Sequence, residues 1–437
     1  MEGEFTEKLL VDEENGNKQV SLKDRIWREN KKMWVVAAPA IFTRFTTFGT
    51  GVISQAFLGH IGARELAAFA LVFTVFLRFA QGILLGMANG LETLCGQAYG
   101  ARQNGKNNGS LDDTGCVFIH CIIYMSNVPA ISKQEHDHRV FGGDLYIIPR
   151  ILSWLLTVKY KFGVTGVMIS TVLAFWLPNI GQLIFVTSGG CPQTWRGFTW
   201  LAFKDLWPIF KLSMSAGAML CLEVWYNTVL ILLTGNMKNA EVAIDALSIC
   251  LNINGWEMMI SLGFMAAASV RISNELGSGN SKAAKFSIAN IVLTSFTIGF
   301  VLFVFFILFR GRITYLFTES EAVASSVAQL SPLLAFSILL NSIQPVLSGV
   351  AVGSGWQSTV AWVNVGSYYF IGVPIGVVLG YVYNQQVEGV WIGMLIGVLV
   401  QTTVLVIITY RTDWERQVSI ARKRVNRWFV EAEPDAD

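Results

Sequence analysis

Long apolar runs separated by short polar stretches dominate the chain. They fall at about 33–58, 66–95, 163–188, 212–234, 242–268, 286–309, 323–352, 358–383 and 388–410. Each is close to or beyond the ~20 residues a helix needs to cross a bilayer, and far longer than the ~10 of a membrane barrel strand. Gly, Ala, Ser and Thr recur inside the runs, a composition that lets helices approach closely in lipid. The predicted fold class is all-α, a polytopic membrane protein.

Charge sharpens this picture. Charged residues make up 14% of the 437, against about 25% in a soluble domain, and apolar residues make up 53%. Fifteen of the charges sit in residues 1–32, twelve in 411–437 and ten in 101–150. A net charge of +2 gives no electrostatic case for nucleic acid as a partner. The six cysteines show no CxxC spacing and lie mostly in or beside apolar runs, so they read as small buried hydrophobes. Residues 1–32 contain no leader-like apolar stretch, and the run from Met33 would serve as an uncleaved anchor. Lys and Arg concentrate in the two tails and in the loops holding Arg102, Lys106, Arg271, Lys282 and Lys285, while alternate loops hold only Arg64 or Lys238; Arg310 and Arg312 are the exception. Both termini are therefore expected to be cytosolic.

The chain also resembles itself. Leu85-Gly86, Gln97 and Gly100 match Leu262-Gly263, Asn274 and Gly277 at a shift of 177 residues. Just upstream, Glu65-Leu-Ala-Ala-Phe-Ala-Leu71 shares four of seven residues with Glu241-Val-Ala-Ile-Asp-Ala-Leu247. Two halves repeated in one orientation are a signature of many secondary transporters. The organisation expected is a tail at 1–32, an N-lobe at 33–204, a C-lobe at 205–410 and a second tail at 411–437. Within the N-lobe, 101–150 is anomalous. It is polar, holds three of the four His, and offers only two weak apolar stretches, at 116–131 and 144–158. Parity of the loops allows one of these to cross, giving about ten good spans and an incomplete N-lobe.

Ionisable side chains inside a span are costly and functional by default. Glu223 lies well inside 212–234, with Tyr226 and Asn227 three and four residues on, sharing its helical face. A carboxyl taken out of water beside aromatics is suited to taking up a proton and to being displaced by a cation. Glu257 lies midway along the next span with Asn254 three residues before it; the pair reads equally as part of one protonation site or as a structural network. Asp245 sits nearer a helix start, where the dipole favours an acid. Asn341, Gln344 and Ser348 form a polar stripe that could line a cavity or join helices. Arg44 and Arg78 could counter an acid such as Glu92, bind an anion, or snorkel. Pro39 can kink the first span.

Other motifs carry less. Gly100 to Lys106 approximates a phosphate-binding loop but lacks the final Ser or Thr and follows a membrane helix. His136-Asp-His138 has no further ligands spaced for a metal. Asn108-Gly-Ser110 fits a glycosylation pattern in a loop expected to be cytosolic. No enzymatic motif, metal site or cofactor is expected.

Several longer motifs carry a family likeness: Gly59-His-Ile-Gly-Ala-Arg-Glu-Leu-Ala-Ala68, Leu91-Glu-Thr-Leu-Cys-Gly-Gln-Ala-Tyr-Gly100, Cys221-Leu-Glu-Val-Trp-Tyr226, Asn254-Gly-Trp-Glu-Met-Met259, Val270-Arg-Ile-Ser-Asn-Glu-Leu-Gly277 and Val350-Ala-Val-Gly-Ser-Gly-Trp-Gln357. Through them the chain resembles the plant branch of the multidrug and toxic compound extrusion (MATE) family over roughly 29–100 and 150–430. The resemblance implies two six-helix lobes, of which this chain lacks the third and fourth helices. It implies proton-coupled antiport by rocker-switch exchange, with sodium the less expected ion. It further implies a small organic substrate such as a flavonoid or organic cation, and Glu223 as the leading proton and substrate residue. Glu257, Asn341, Gln344, Trp225, Tyr226 and Asn227 would line the same C-lobe cavity. Asn341 departs from an acid found there in many members, which fits relatives that move flavonoids into the vacuole. The expected location is the vacuolar membrane ahead of the plasma membrane, and the expected state a monomer in the bilayer. The alternatives are an anion channel of the same fold, or a truncated variant without transport, since 101–150 reads as a splice variant or faulty gene model.

Overall fold

The computed structural model describes residues 21–61, 78–103, 162–185, 207–234, 240–313 and 320–429, with isolated positions at 155, 159, 187 and 188. The described elements are helical: α1 (Leu22–Ile61), α2 (Arg78–Gln103), α3 (Gly163–Phe185), α4 (Trp207–Thr234), α5 (Ala240–Ser278), α6 (Ser281–Ile313), α7 (Glu321–Asn341), α8 (Gln344–Ser354), α9 (Gln357–Asn364), α10 (Val373–Val377), α11 (Gln386–Arg411) and α12 (Trp414–Phe429). Apart from α12, which lies in the charged C-terminal tail, they fall on the apolar runs. The two weak stretches at 116–131 and 144–158, and the start of the second span, lie outside the described residues.

Two interruptions shape the C-terminal half. Pro345, at the head of α8, has no N–H to give to the preceding turn, so the run breaks between Asn341 and Gln344. Further on, α9 and α10 belong to one rod, joined and extended by π-helical turns at Val365–Gly372 and Val378–Val382. Such wide turns occur frequently at functional sites.

Among the described residues, Ser281–Phe309, Glu321–Ser354, Gln357–Val382 and Gln386–Arg411 are long and apolar enough to cross a membrane. Leu293, Val301 and Leu308 on α6 are exposed, as befits a surface facing lipid, while Glu92, Gln97, Glu257, Gln357, Asn364 and Gln401 are buried. Polar groups thus gather inside and apolar ones outside.

The repeat seen in the sequence reappears as a reciprocal contact. Gly100 on α2 lies against the main chain of Asn274 on α5, and Gly277 on α5 lies against the main chain of Gln97 on α2. Gly100 and Gly277, like Gln97 and Asn274, are related at the shift of 177, so the repeat exchanges the two contacts. Gly96 and Ser273, themselves 177 apart, meet between them. The relation extends outward: Gly86 meets Gly217 on α4, while Gly263 meets Ile41 on α1. Each half therefore presents the same face to the other, as in an isologous interface.

Side chains fasten this seam. Thr93 Oγ1 donates to the Val352 carbonyl at 2.6 Å and Gln97 Nε2 to the Gly353 carbonyl at 3.1 Å. Gln357 Nε2 closes the junction on Thr93 Oγ1 at 3.0 Å. At the end of the bundle where α1 begins, α12 lies across α2, α5 and α6. It buries Trp414, Ala421 and Val425 and turns Arg416, Arg422 and Lys423 outward. Arg424 Nη1 caps the last turn of α8 by donating to the Ser354 carbonyl at 3.0 Å.

Candidate functional site

Glu223 sits two-thirds of the way along α4, half-buried. The Gln344 side chain reaches it from the first turn of α8. The break before α8 is what aims this amide: an uninterrupted helix would carry Gln344 onward from Asn341 at fixed helical spacing. Gln344 Nε2 also donates to Ser348 Oγ at 3.3 Å.

Asn341, on the other side of the break, turns to α5. Its Nδ2 donates to Asn254 Oδ1 at 3.1 Å. Asn254 and Glu257 share one face of α5, so the α7–α8 break stands between the two buried-span acids. Glu257 is 6% exposed; its Oε1 accepts from Ser261 Oγ at 2.7 Å, and its Oε2 has no hydrogen-bond partner among the described residues. Trp256, its neighbour, is flanked by Phe45 and Phe48 of α1 at ring distances of 5.5 and 5.0 Å.

The remaining expected residues divide. Tyr226 is buried and structural in its bonds: its hydroxyl donates to the Met394 carbonyl at 2.9 Å and fits between Gly372 and Gly397. Trp225 is 47% exposed and lies about 200° around α4 from Glu223, on the opposite face. The Asn227 side chain lies outside the described ones, as do His136 and His138. Asp245 is exposed near the start of α5, and Arg44 lies within electrostatic reach of the buried Glu92. Among the described residues, no group of three or more His, Cys, Asp or Glu could hold a metal ion.

Sequence reasoning missed the far wall. Tyr368, in the first π-helical stretch, stacks on Tyr226 with ring centres 4.2 Å apart and planes 8° apart. It lies within electrostatic reach of Glu223. Its hydroxyl donates to Gln401 Oε1 at 2.7 Å, Gln401 Nε2 to Asn364 Oδ1 at 2.7 Å, and Asn364 Nδ2 to the Met219 carbonyl at 3.2 Å. Asn364 and Gln401 are fully buried amides within apolar runs, the signal that could have found them.

A MatE family model matches residues 39–125 and 216–378. Protein DETOXIFICATION 21 of Arabidopsis thaliana is 55% identical over 483 positions, covering 100% of this chain and 98% of that protein. Protein DETOXIFICATION 22 of the same plant is 54% identical with the same coverage. The 483 aligned positions exceed the 437 residues, so at least 46 of them face no residue here. Among solved structures, the eukaryotic MATE transporter AtDTX14 superposes with a TM-score of 0.78 at 26% identity, covering 92% of this chain and 99% of that one. An outward-facing multidrug resistance MATE family transporter gives a TM-score of 0.72 over 93% of this chain and 100% of that one; at 16% identity it speaks to the fold alone.

Proposed function

The chain belongs to the MatE family of membrane transporters, and from that premise we propose that it is a proton-coupled antiporter of small organic solutes. Flavonoid-like molecules and organic cations are the substrate classes, with both termini cytosolic and the vacuolar membrane as the site of action. The observation that carries this reading is the meeting of Glu223 with Gln344 at the α7–α8 break, while Asn341 holds the Asn254–Glu257 face across it. A carboxyl half-buried among amides and aromatics can exchange a proton for a positively polarised substrate. Glu223 takes the proton; Gln344 orients the carboxyl; Glu257 and Asn341 complete the cavity wall. Rocking of the two halves about the α2–α5 seam would then expose the site to either side in turn. The test is uptake of a flavonoid glucoside and of tetraphenylphosphonium into vesicles under an imposed pH gradient. Glu223→Gln should abolish gradient-driven uptake; unchanged uptake would sink the assignment.

One observation favours a second reading. Asn341 and Gln344 put neutral amides, which can donate to an anion, at the break. A channel for small anions would show patch-clamp currents reversing at the chloride potential without proton movement.

A further inference from the structure

Tyr368 and Tyr369 are adjacent in sequence, yet both serve α4. Tyr369 Oη donates to the Leu222 carbonyl at 2.9 Å, and Tyr368 stacks on Tyr226 beside Glu223. Both lie in the π-helical turn of Val365–Gly372, where neighbours stand slightly closer in angle than in an α-helix, and both reach α4. Asn364, one residue before this turn, grips the Met219 carbonyl, the acceptor for the Glu223 amide within α4. The main chain carrying Glu223 is thus held at the residue before it and one turn before it, by a single element.

The hydrogen bonds run one way, from Tyr368 to Gln401 to Asn364 to Met219. Gln401 and Asn364 are completely buried and Tyr368 is 2% exposed. Gln401 uses its oxygen for the tyrosine and its amide for Asn364, so its orientation is fixed by both neighbours. With its proton committed to Gln401, the Tyr368 oxygen keeps acceptor capacity, and it lies within electrostatic reach of Glu223. A fully satisfied buried chain of this kind rigidifies whatever it holds.

We propose that Tyr368, locked by Gln401 and Asn364, is a positioning residue for the Glu223 carboxyl. The proposal rests on Glu223 being the proton residue. The rod that carries the π-helical turn then holds a phenol near the acid, on a different element from Gln344. Gln344 from α8 and Tyr368 from the α9–α10 rod are among the groups that face the acid; Tyr226 and Tyr369 lie against Tyr368, and Cys221 beside Tyr369.

The test needs no substrate. A hydrophobic carbodiimide, dicyclohexylcarbodiimide, modifies protonated carboxyls inside membranes, and mass spectrometry of the purified full chain reads Glu223 and Glu257 separately. Tyr368→Phe and Gln401→Leu should each move the modification rate at Glu223 on the order of tenfold while leaving Glu257 within about twofold. Tyr381→Phe is the control. It removes a tyrosine hydrogen bond from the same rod, here to α4, Tyr381 Oη to the Leu233 carbonyl at 2.6 Å, far from the acid. A Glu223 rate unmoved in Tyr368→Phe, or moved equally by Tyr381→Phe, would overturn the proposal. Failure of the Glu223 assignment reads out elsewhere, as gradient-driven uptake that survives Glu223→Gln.

Discussion

Arg271 on α5 grips the carboxylate of Glu29 on α1 through Nε at 3.0 Å and Nη2 at 2.9 and 3.1 Å. The same Nη2 reaches Glu275 at 2.6 Å, and Ser287 of α6 donates to Glu29. One guanidinium therefore ties the first helix to the second half of the chain. Geometry of this kind, bidentate and mostly out of water, is where an ion pair contributes most.

Arg271→Ala should lower the thermal midpoint of the purified protein clearly, because two acids lose their cation together. Removing one partner of a buried pair costs roughly 3–5 kcal/mol, and the slight exposure here points to the lower end. Glu29→Gln, which keeps an acceptor for Ser287 and leaves Glu275 on Arg271, should cost less. Equal midpoints for the two variants would contradict the shared clamp.

At the seam, a methyl on Gly100 or on Gly277 would collide with main-chain atoms of the opposing helix, which cannot swing aside as a side chain could. Each Gly→Ala change should cost about 1–3 kcal/mol of overpacking. The two costs should be similar, since the sites are repeat-related, and the double variant should cost less than their sum, since one displacement relieves both. Thermal unfolding of the three variants in detergent measures this; strict additivity would count against a shared seam.

Tyr226→Phe separates structure from mechanism. The change deletes a buried hydrogen bond and leaves the Met394 carbonyl without that donor, a loss of about 1–2 kcal/mol. The ring, and so the stack on Tyr368, survives. Gradient-driven uptake per folded molecule should stay within about twofold of the native chain while the thermal midpoint falls; a loss of coupling without a loss of stability would move Tyr226 into the proton site.

Arg424 offers a prediction in pH. Burial presses its guanidinium below the ordinary arginine value. The unfolded chain then holds the proton more tightly than the folded one, so the linked stability rises with pH, but only in the strongly alkaline range where arginine titrates. Between about pH 5 and 9 the cost of Arg424→Met should be constant, set by the loss of the Ser354 cap. A cost that varies across that range would mean that another group titrates with it.

Much of this architecture is legible in the sequence because lipid makes it so. Length and apolarity mark α6 or α11 as spans without any knowledge of neighbours. Glu223 and Glu257 stand out because a charge in a span is rare. The repeat relates Gly100 to Gly277 and Gln97 to Asn274, and the contact joins the same four residues crosswise. What stayed hidden depends on how helices turn toward one another. Asn341, Gln344 and Ser348 read as one stripe, yet Pro345 marks a break that sends Asn341 to α5 and Gln344 to Glu223. The π-helical turn leaves no periodic signature in Val-Gly-Ser-Tyr-Tyr-Phe-Ile-Gly, since every residue there suits an ordinary helix too. Tyr368 lies within that turn, and its stack on Tyr226 and bond to Gln401 depend on how the rod packs against α4 and α11. Trp225 belongs to the same family-like motif as Glu223, but two residues along a helix lie on opposite faces.

The crossed pairing of Gly100 with Asn274 and Gly277 with Gln97 has a bearing on ancestry. A half-length chain carrying one amide and, three residues later, one glycine on such a helix would meet a second copy of itself through this same contact. Nothing new would have to be invented when two such genes fused. The fused chain keeps the surface of a homodimer, and its two copies of that surface can no longer drift independently.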